Sequence, residues 1–238
     1  MRIAIISDIH SNLEALKTVL KYIENEKISR IICLGDVVGY GPRPNECVDL
    51  VREKCERTLL GNHDSASLDE TDINFFNEYA RQAILWTRKR LNQETKEFLR
   101  SLPYTYPEGN TLYVHSSPVE PEEWHYVLSV GEAKYSLNQI KYSLVFIGHS
   151  HVAVTFTLEQ GKLDESNFLL SPKDRYIVNV GSVGQPRDGD PRASFVIFDT
   201  QERRIQYIRL EYNVRKTFEE IMEQDIPPLL AHRLLNGR

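Results

Sequence analysis

Residues 2–36 read RIAIISDIHSNLEALKTVLKYIENEKISRIICLGD, and this stretch decides the fold class. The apolar run at 2–7 predicts a buried strand, and the run at 30–35 predicts a second one. The residues between them have helical spacing, with one apolar face formed by Leu13, Leu16, Val19, Leu20 and Ile23. Two strands joined by one helix are typical of a parallel βαβ unit.

The alternation of strands and helices continues to residue 61. PNECVDLVREK (44–54) predicts a helix opened by Pro44, and RTLLG (57–61) predicts a third strand. Ser11 and Glu14 have the spacing of a capping box at the start of the first helix. The β-α-β-α-β opening therefore predicts an α/β fold whose first strands are parallel.

The second half of the chain is richer in strands. We predict them at 111–116, 142–148, 152–158, 175–181, 193–200 and 204–212, with helices near 130–140 and over 214–236, the latter broken by Pro227 and Pro228. A helical insertion at about 70–101 either walls a site or simply packs on the sheet. We expect one domain over 1–238, with two packed sheets flanked by helices.

Composition excludes several classes of protein. The hydrophobic fraction of 41% and the charged fraction of 26% are those of a globular protein. No apolar run approaches the roughly 20 residues that span a bilayer, and the first ten residues are no signal peptide. The cysteines are odd in number, with no Cys-x-x-Cys pair: Cys33, Cys47 and Cys55. We therefore expect no disulfide framework, no membrane association and a cytoplasmic location.

The net charge of −5 argues against a large basic surface for duplex nucleic acid. It permits nucleotides or phosphorylated small molecules as partners, because bound metal ions supply positive charge locally. The sequence carries no expectation about the oligomeric state.

Polar residues follow three predicted strands in succession. Asp8 and His10 come after the first strand, Asp36 after the second in GDVVGYG, and Asn62 and His63 after the third in GNHD. Each alone has a structural explanation, such as a turn-forming Asp or a histidine satisfied by its neighbours. In open α/β sheets, however, ligands gather at the carboxyl ends of strands, so the set predicts a site.

Histidines extend this pattern into the second half. Five of the seven histidines lie at predicted strand ends, at positions 10, 63, 115, 149 and 151. We interpret His125 and His232 as surface or packing residues. Imidazole and carboxylate together suit Mn²⁺, Fe or Zn²⁺ better than Ca²⁺ or Mg²⁺. With a bridging Asp36 they describe a two-ion centre, which clamps phosphate oxygens and forms a bridging hydroxide that attacks phosphorus in line.

The order of motifs resembles that of the calcineurin-like metallophosphoesterases. Asp-x-His, Gly-Asp-x-x-Gly, Gly-Asn-His-Asp, a single His and Gly-His-x-His run from Asp8 to His151, and NVGSVGQPRDGDPRASF (179–195) extends the match. The bacterial and archaeal members labelled phosphodiesterases or diadenosine tetraphosphatase-like are the most similar branch. The resemblance implies a four-layer α/β/β/α sandwich of two mixed sheets flanked by helices.

The resemblance also implies two sets of ligands. The first ion would be held by Asp8, His10, Asp36 and His151, and the second by Asp36, Asn62, His115 and His149. His63 would contact the phosphate and protonate the leaving oxygen. The implied cofactors are two divalent transition metal ions, Mn²⁺ or Fe, with Zn²⁺, Ni²⁺ or Co²⁺ as alternatives.

The chain departs from relatives beside the centre. Phosphoprotein phosphatases and symmetrical diadenosine tetraphosphatases carry Gly-Asp-x-Val-Asp/Ala-Arg-Gly, whereas here Gly39 and Tyr40 stand in place of the last acidic or small residue and the Arg. An Arg grips a terminal phosphate bidentately, so its absence shifts our expectation toward diesters or nucleotides. Ser116 follows His115 where a Gly often stands, which changes only the local turn.

Three further expectations concern the rim of the centre. Tyr40 either stacks on a base or aryl leaving group, or packs in the interior. Arg187 either supplies positive charge to the substrate or pairs with Asp188 or Asp190 to pin a loop. The strand-end residues Asn179, Gly181 and Ser182 are expected to line the cleft.

The leading functional hypothesis is a dimetal-dependent phosphoesterase for a phosphodiester or nucleotide. A dinucleoside polyphosphate hydrolase and a phosphomonoesterase are alternatives within the same chemistry. A catalytically silent scaffold of the same fold is the alternative from another class, but scaffolds typically lose ligands and this chain retains all of them. The acidic balance and the absence of extra domains weigh against a DNA-processing nuclease.

Overall fold

Two mixed six-stranded sheets pack face to face in a computed structural model that describes all residues from Met1 to Arg238. The strands are β1 (Arg2–Ile6), β2 (Arg30–Cys33), β3 (Arg57–Thr58), β4 (Thr105–Glu108), β5 (Thr111–Val114), β6 (Leu144–Ile147), β7 (Ala153–Thr157), β8 (Gly161–Leu163), β9 (Asn167–Leu169), β10 (Tyr176–Val180), β11 (Ala193–Asp199) and β12 (Arg204–Leu210). The α-helices are α1 (Leu13–Asn25), α2 (Pro44–Lys54), α3 (Asn62–Ser67), α4 (Glu78–Arg90), α5 (Gln93–Arg100), α6 (Val130–Gln139), α7 (Val214–Met222) and α8 (Pro228–Asn236).

Each sheet combines parallel and antiparallel pairs. The first has the order β3-β2-β1-β11-β12-β9, and the second has the order β4-β5-β6-β10-β7-β8. The predicted opening is confirmed, because β1, β2 and β3 are parallel neighbours. In the second sheet β5, β6 and β10 are parallel neighbours, so the loops that follow β5 and β6 leave the sheet at the same edge.

Alternation of side chains along the strands fills the layers. In β1, Ile3 and Ile5 point into the core between the sheets, where they join Phe146 and Val178 of the second sheet. Ala4 and Ile6 of the same strand point to the other side. The sheets therefore share one apolar core, and each has a second apolar face to cover.

Helices cover both outer faces. Residues of α1, α2 and α5 pack on the first sheet, and Ala133 and Leu137 of α6 pack on the second. The predicted four-layer α/β/β/α arrangement is confirmed, although α6 alone forms the fourth layer. A separate cluster joins α4 to α7 and α8. None of the helices combines the length and the apolar character needed to cross a membrane.

Several local predictions were wrong. The first helix begins at Leu13 and is capped by Asn12, whose side chain accepts from the Ala15 amide. Ser11 lies in the left-handed region with a φ of 55°, so its hydroxyl, which has no partner, forms no capping box. The third strand pairs only over Arg57–Thr58. The short strands β4, β8 and β9 were not predicted.

Only part of the insertion at 70–101 packs on the first sheet, through Leu91 and Leu99. Its long helix begins at Glu78, capped by Asn77, because residues 73–75 form a separate 3-10 turn. Buried residues of α4 pack in the cluster with the C-terminal helices. The segment before α4 instead lines a cleft, through Phe75 and Phe76.

Candidate metal centre

The predicted ligands come together where strands of both sheets end. Asp8 and His10 follow β1, Asp36 follows β2, and Asn62 begins α3 after β3. From the second sheet, His115 follows β5, and the pair His149 and His151 follows β6. The edges of the two packed sheets thus supply one continuous group of side chains.

The side chains form two groups that share one carboxylate. Donor atoms of Asp8, His10, Asp36 and His151 all lie within 4.8 Å of one another, as do those of Asp36, His115 and His149. All six residues are buried. The Oδ1 atom of Asn62 lies 3.3 Å from Nε2 of His115, which places this amide beside the second group. The two groups have the composition that the family resemblance implies.

Backbone carbonyls fix the orientation of three imidazoles. His10 Nδ1 donates to the Val38 carbonyl (3.0 Å), His151 Nδ1 donates to the Gln185 carbonyl (2.6 Å), and His149 Nε2 donates to the Trp124 carbonyl (2.9 Å). A carbonyl only accepts, so each of these nitrogens carries the hydrogen and the other ring nitrogen has the lone pair. Such carbonyl contacts are typical of histidines that bind metals.

The orientation of His10 and His151 tests whether a cation fits. Their Nε2 atoms, both lone-pair donors by this assignment, lie 3.0 Å apart. Two facing lone pairs repel each other, and a divalent ion bound by both nitrogens removes that repulsion. The donor set therefore fits a metal ion, and imidazole with carboxylate favours a transition metal.

Backbone strain is concentrated at the same residues. The φ angles are 54° at Asp8, 49° at His10, 52° at Asp36, 67° at His149 and 60° at His151. Each left-handed non-glycine residue costs on the order of 1 kcal/mol and persists only where the surroundings hold it. Five such residues among the ligands indicate that the loops are shaped for ligand placement rather than for packing.

Two glycines make room for this arrangement. A Cβ atom on Gly61 would lie 2.1 Å from Oδ1 of Asp36. A Cβ atom on Gly39, where φ is 94°, would lie 2.7 Å from Nδ1 of His63. Neither position accommodates a side chain without displacing a residue of the site.

The carboxyls and imidazoles of the centre shift one another's pKa values. Burial raises the pKa of the Asp8 and Asp36 carboxyls, but neighbouring histidines outweigh it and hold both below the usual range. Burial disfavours charge on His115, yet Asp36 outweighs it and raises the pKa of this histidine to about 9. Burial lowers the pKa of His149 to about 3 and also depresses those of His10 and His151.

His63 lies beside both groups and belongs to neither. Its side chain is 4% exposed and borders the cleft, and its backbone amide donates to Oδ1 of Asp36 at 2.8 Å. The ring centroid is 4.4 Å from that of Tyr40 and 5.2 Å from that of Phe76. Burial lowers the pKa of His63 to about 4.

Tyr40 and Arg187 lie together at the rim. Tyr40 is 5% exposed, and its ring meets His10 edge-on at 4.7 Å between centroids. The guanidinium carbon of Arg187 is 5.4 Å from the Tyr40 centroid, and its Nη2 donates to Oε1 of Gln185 at 2.7 Å. Asp188 and Asp190 pair with Arg209 and Arg192 instead, so the alternative in which they hold Arg187 is wrong.

Other residues of the site carried little sequence signal. The Asp64 carboxylate accepts from the amides of Val38 and Gly61 at 3.0 and 3.2 Å, which ties the loops after β2 and β3 together. Tyr126 stacks on His149 with 4.0 Å between ring centroids. Asp64 belongs to the GNHD motif and was within reach of sequence reasoning, whereas the loop that carries Tyr126 has no periodic pattern.

Residues at the end of β10 and directly after it hold the loops of the centre in place through hydrogen bonds. Nδ2 of Asn179 donates to the Gly148 carbonyl at 2.7 Å, and Ser182 Oγ donates to the Asp8 carbonyl at 2.8 Å. Contrary to expectation, none of Asn179, Gly181 and Ser182 borders the cleft beside the centre.

Two buried residues extend this support to the C-terminal helices. Thr217 of α7 donates its hydroxyl to Oδ1 of Asn12 at 2.9 Å, and Nδ2 of Asn12 donates to the Gly184 carbonyl at 2.9 Å. Gly184 directly precedes Gln185, whose carbonyl orients His151. The C-terminal helices therefore reach the metal centre through a chain of hydrogen bonds.

A cleft of about 770 Å³ opens over the second group of donors. Asn62, His63 and His149 lie at its inner end, together with Arg187. Its volume is in the range of sites for small organic ligands.

Comparisons with known proteins agree with this geometry. The family model described as the calcineurin-like phosphoesterase superfamily domain matches residues 1–203. An uncharacterized protein of Methanocaldococcus jannaschii is 42% identical, over 99% of this chain and 98% of its own length. The crystal structure of a metallophosphoesterase from Sphaerobacter thermophilus is 38% identical, with a TM-score of 0.89, covering 100% of this chain and 99% of that one.

A more distant relative shares the fold. The crystal structure of a hypothetical protein from Pyrococcus horikoshii OT3 has a TM-score of 0.83 at 19% identity, covering 100% of this chain and 98% of that one. The match of the family model over most of the sequence, with the donor groups described above, identifies the family. The chain belongs to the calcineurin-like phosphoesterase superfamily.

Proposed function

We propose that this protein is a dimetal-dependent phosphoesterase that hydrolyses a phosphodiester or nucleotide. The observation that carries the proposal is the Asp36 carboxylate, which belongs to both donor groups. Two divalent ions bound there would supply charge for the phosphate oxygens and lower the pKa of a water molecule that attacks phosphorus. The donor set favours Mn²⁺ or Fe, with Zn²⁺, Ni²⁺ or Co²⁺ as alternatives.

His63 is proposed to contact the phosphate and to protonate the leaving oxygen. It borders the cleft and belongs to neither donor group, so its side chain is free for this role. Tyr40 and Phe76 pack against the ring and hold it in place. Tyr40 thus acts as a positioning residue in this proposal, because its ring is too buried to stack on a substrate.

Arg187 is proposed to bind a phosphate oxygen in place of the Arg that relatives carry in the Gly-Asp motif. Its guanidinium borders the cleft and makes no ion pair with a carboxylate, and its buried Nε has no hydrogen-bond partner. A diester carries one negative charge where a monoester carries up to two. One guanidinium, without a second basic residue at the cleft, suits the smaller charge.

The test is a turnover screen of the metal-loaded protein. We expect bis-p-nitrophenyl phosphate to be hydrolysed with a higher kcat/KM than p-nitrophenyl phosphate, and cyclic nucleotides and dinucleoside polyphosphates complete the panel. Removal of the metals with a chelator should abolish turnover. Activity that survives chelation, or no turnover of any ester with metals restored, would contradict the proposal.

We also propose that the protein acts in the cytoplasm. The support is that Cys33, Cys47 and Cys55 are free thiols, which suits a reducing compartment.

A further inference from the structure

The outer part of the cleft has a composition unlike its inner end. One wall is the segment before α4, with Glu70, Asp72, Phe75 and Phe76. A second wall is the loop after β5, with Glu122, Glu123, Trp124 and Tyr126. Each wall therefore presents two carboxylates and two aromatic rings to the same space.

The charge of this outer cleft is unbalanced. Glu70 pairs with Arg100, but Asp72, Glu122 and Glu123 make no ion pair. Arg187, at the inner end, is the one basic residue among those lining the cleft. A ligand therefore meets positive charge from Arg187 and bound metals at one end, and negative charge at the other.

Two of the four aromatic residues, Phe75 and Tyr126, are exposed to solvent, whereas Phe76 and Trp124 are partly buried. Phe75 is 91% exposed, and Tyr126 stacks on His149, which connects the aromatic wall to the metal centre. Because so little of Phe75 is buried, its ring is open to a ligand in the cleft. Aromatic faces attract organic cations through the negative charge of their π-systems, and neighbouring carboxylates add to that attraction.

Resting on the phosphoesterase function proposed above, we propose that the substrate is a zwitterionic phosphoester, with its phosphate at the metal centre and an alkylammonium group in the outer cleft between the aromatic rings. Hydrolysis would break the bond from phosphorus to one ester oxygen, which takes up a proton. A bond from phosphorus to a water oxygen forms, and that water loses a proton. The ammonium group takes no part in the reaction and determines specificity.

The same arrangement disfavours polyanions. A dinucleoside polyphosphate or a nucleic acid strand would place further phosphates beside Asp72, Glu122 and Glu123. These phosphates and carboxylates would repel each other, and the outer cleft contains no basic residue to offset that repulsion. The proposal therefore narrows the substrate to esters with a single phosphate.

The test compares two ligands of the metal-loaded protein that differ only in one charge. Phosphocholine has a quaternary ammonium, and 3,3-dimethylbutyl phosphate has a neutral carbon in its place. Each is titrated as an inhibitor of bis-p-nitrophenyl phosphate hydrolysis, and its binding is also followed by calorimetry. We expect phosphocholine to bind about tenfold more tightly, with a preference that shrinks in high salt.

The variant E122Q/E123Q removes two exposed carboxylates, so its fold should be retained. We expect the preference to fall to about threefold while the neutral ligand binds as before. Phe75→Leu should reduce the preference for phosphocholine further, because it removes an aromatic face. The matched control is D164N/E165Q, which removes the same charge from a different cavity and should leave the preference unchanged.

The outcomes separate the two proposals. No turnover of bis-p-nitrophenyl phosphate contradicts the phosphoesterase function, whereas turnover with equal affinity for the two ligands overturns only the zwitterion proposal. An equal loss of preference in the control variant also overturns it. The zwitterion proposal is also overturned if adenosine 5′-phosphate binds more tightly than phosphocholine and its affinity is unchanged in E122Q/E123Q. The aromatic rings would then stack on a nucleobase.

Discussion

Asp36→Asn replaces the carboxylate that both donor groups share by an amide of the same shape. In the native protein Oδ2 of Asp36 lies 3.5 Å from Nε2 of His10 and 3.4 Å from Nε2 of His115, so it faces ligands of both groups. Unit charges about 4 Å apart interact by about 4 kcal/mol at an effective dielectric constant of about 20. Outer partners of metal ligands alone typically change affinity about 10–100-fold, so we expect more than about 100-fold weaker binding of each ion.

The assay is metal content after dialysis against a competing chelator, with calorimetric titration of each ion. The native protein should retain two ions and the variant fewer than one, with no phosphodiester turnover. Asp164→Asn, which changes an exposed carboxylate outside the cleft, is the control and should retain both ions. If Asp36→Asn lost one ion and bound the other with native affinity, the bridging role would be refuted.

Three further predictions concern single residues of the centre. His63→Gln should keep both metals but lower kcat for esters with poor leaving groups by about 100-fold or more, measured against p-nitrophenyl esters, because proton transfer by a positioned side chain contributes about that much. Arg187→Met should raise KM for a diester about tenfold with unchanged metal content, since hydrogen bonds to charged groups contribute about 1.5–3 kcal/mol. Metal binding at pH 7 should release about one proton, because the pKa of His115 is raised to about 9 in the metal-free protein and a ligand must be deprotonated. Its charge is lost as pH rises through that value, so metal affinity should increase with pH until about 9; calorimetry in buffers of different ionisation enthalpy measures the release.

Each of these three predictions has a result that would contradict it. Loss of metal from His63→Gln would make His63 a ligand or a structural residue. A KM for the diester in Arg187→Met equal to that of the native protein would show that Arg187 does not bind the phosphate. A heat of metal binding that is independent of the buffer would mean that His115 is already neutral.

The ligands were predictable because their positions follow from local rules. A buried strand followed directly by Asp, His or Asn places polar side chains at a carboxyl edge, and parallel pairing of β1, β2 and β3 brings those edges together. The family's motif order then assigned each residue to an ion. The shared position of Asp36 was predicted as well, although contacts between residues far apart in the chain create it.

Contacts between distant segments also explain what was missed. Strands β8 and β9 have three residues each, too few for a periodic signal, and both lie at sheet edges. Asn12 caps α1 in place of the predicted Ser11, because Asn12 is also held by hydrogen bonds to Thr217 and Gly184, which are remote in sequence. The partner of Arg187 and the walls of the cleft likewise belong to loops whose conformation no pattern of residues specifies.

The carbonyls that orient the imidazoles have a consequence for biosynthesis. His10 lies 141 residues from His151, and His151 is oriented by the carbonyl of Gln185, a further 34 residues along the chain. During translation His10 emerges from the ribosome long before Gln185, the residue whose carbonyl orients His151. A metal ion that meets the nascent chain therefore finds only isolated side chains, and we expect the ions to be acquired after release from the ribosome, by a chain that has already folded.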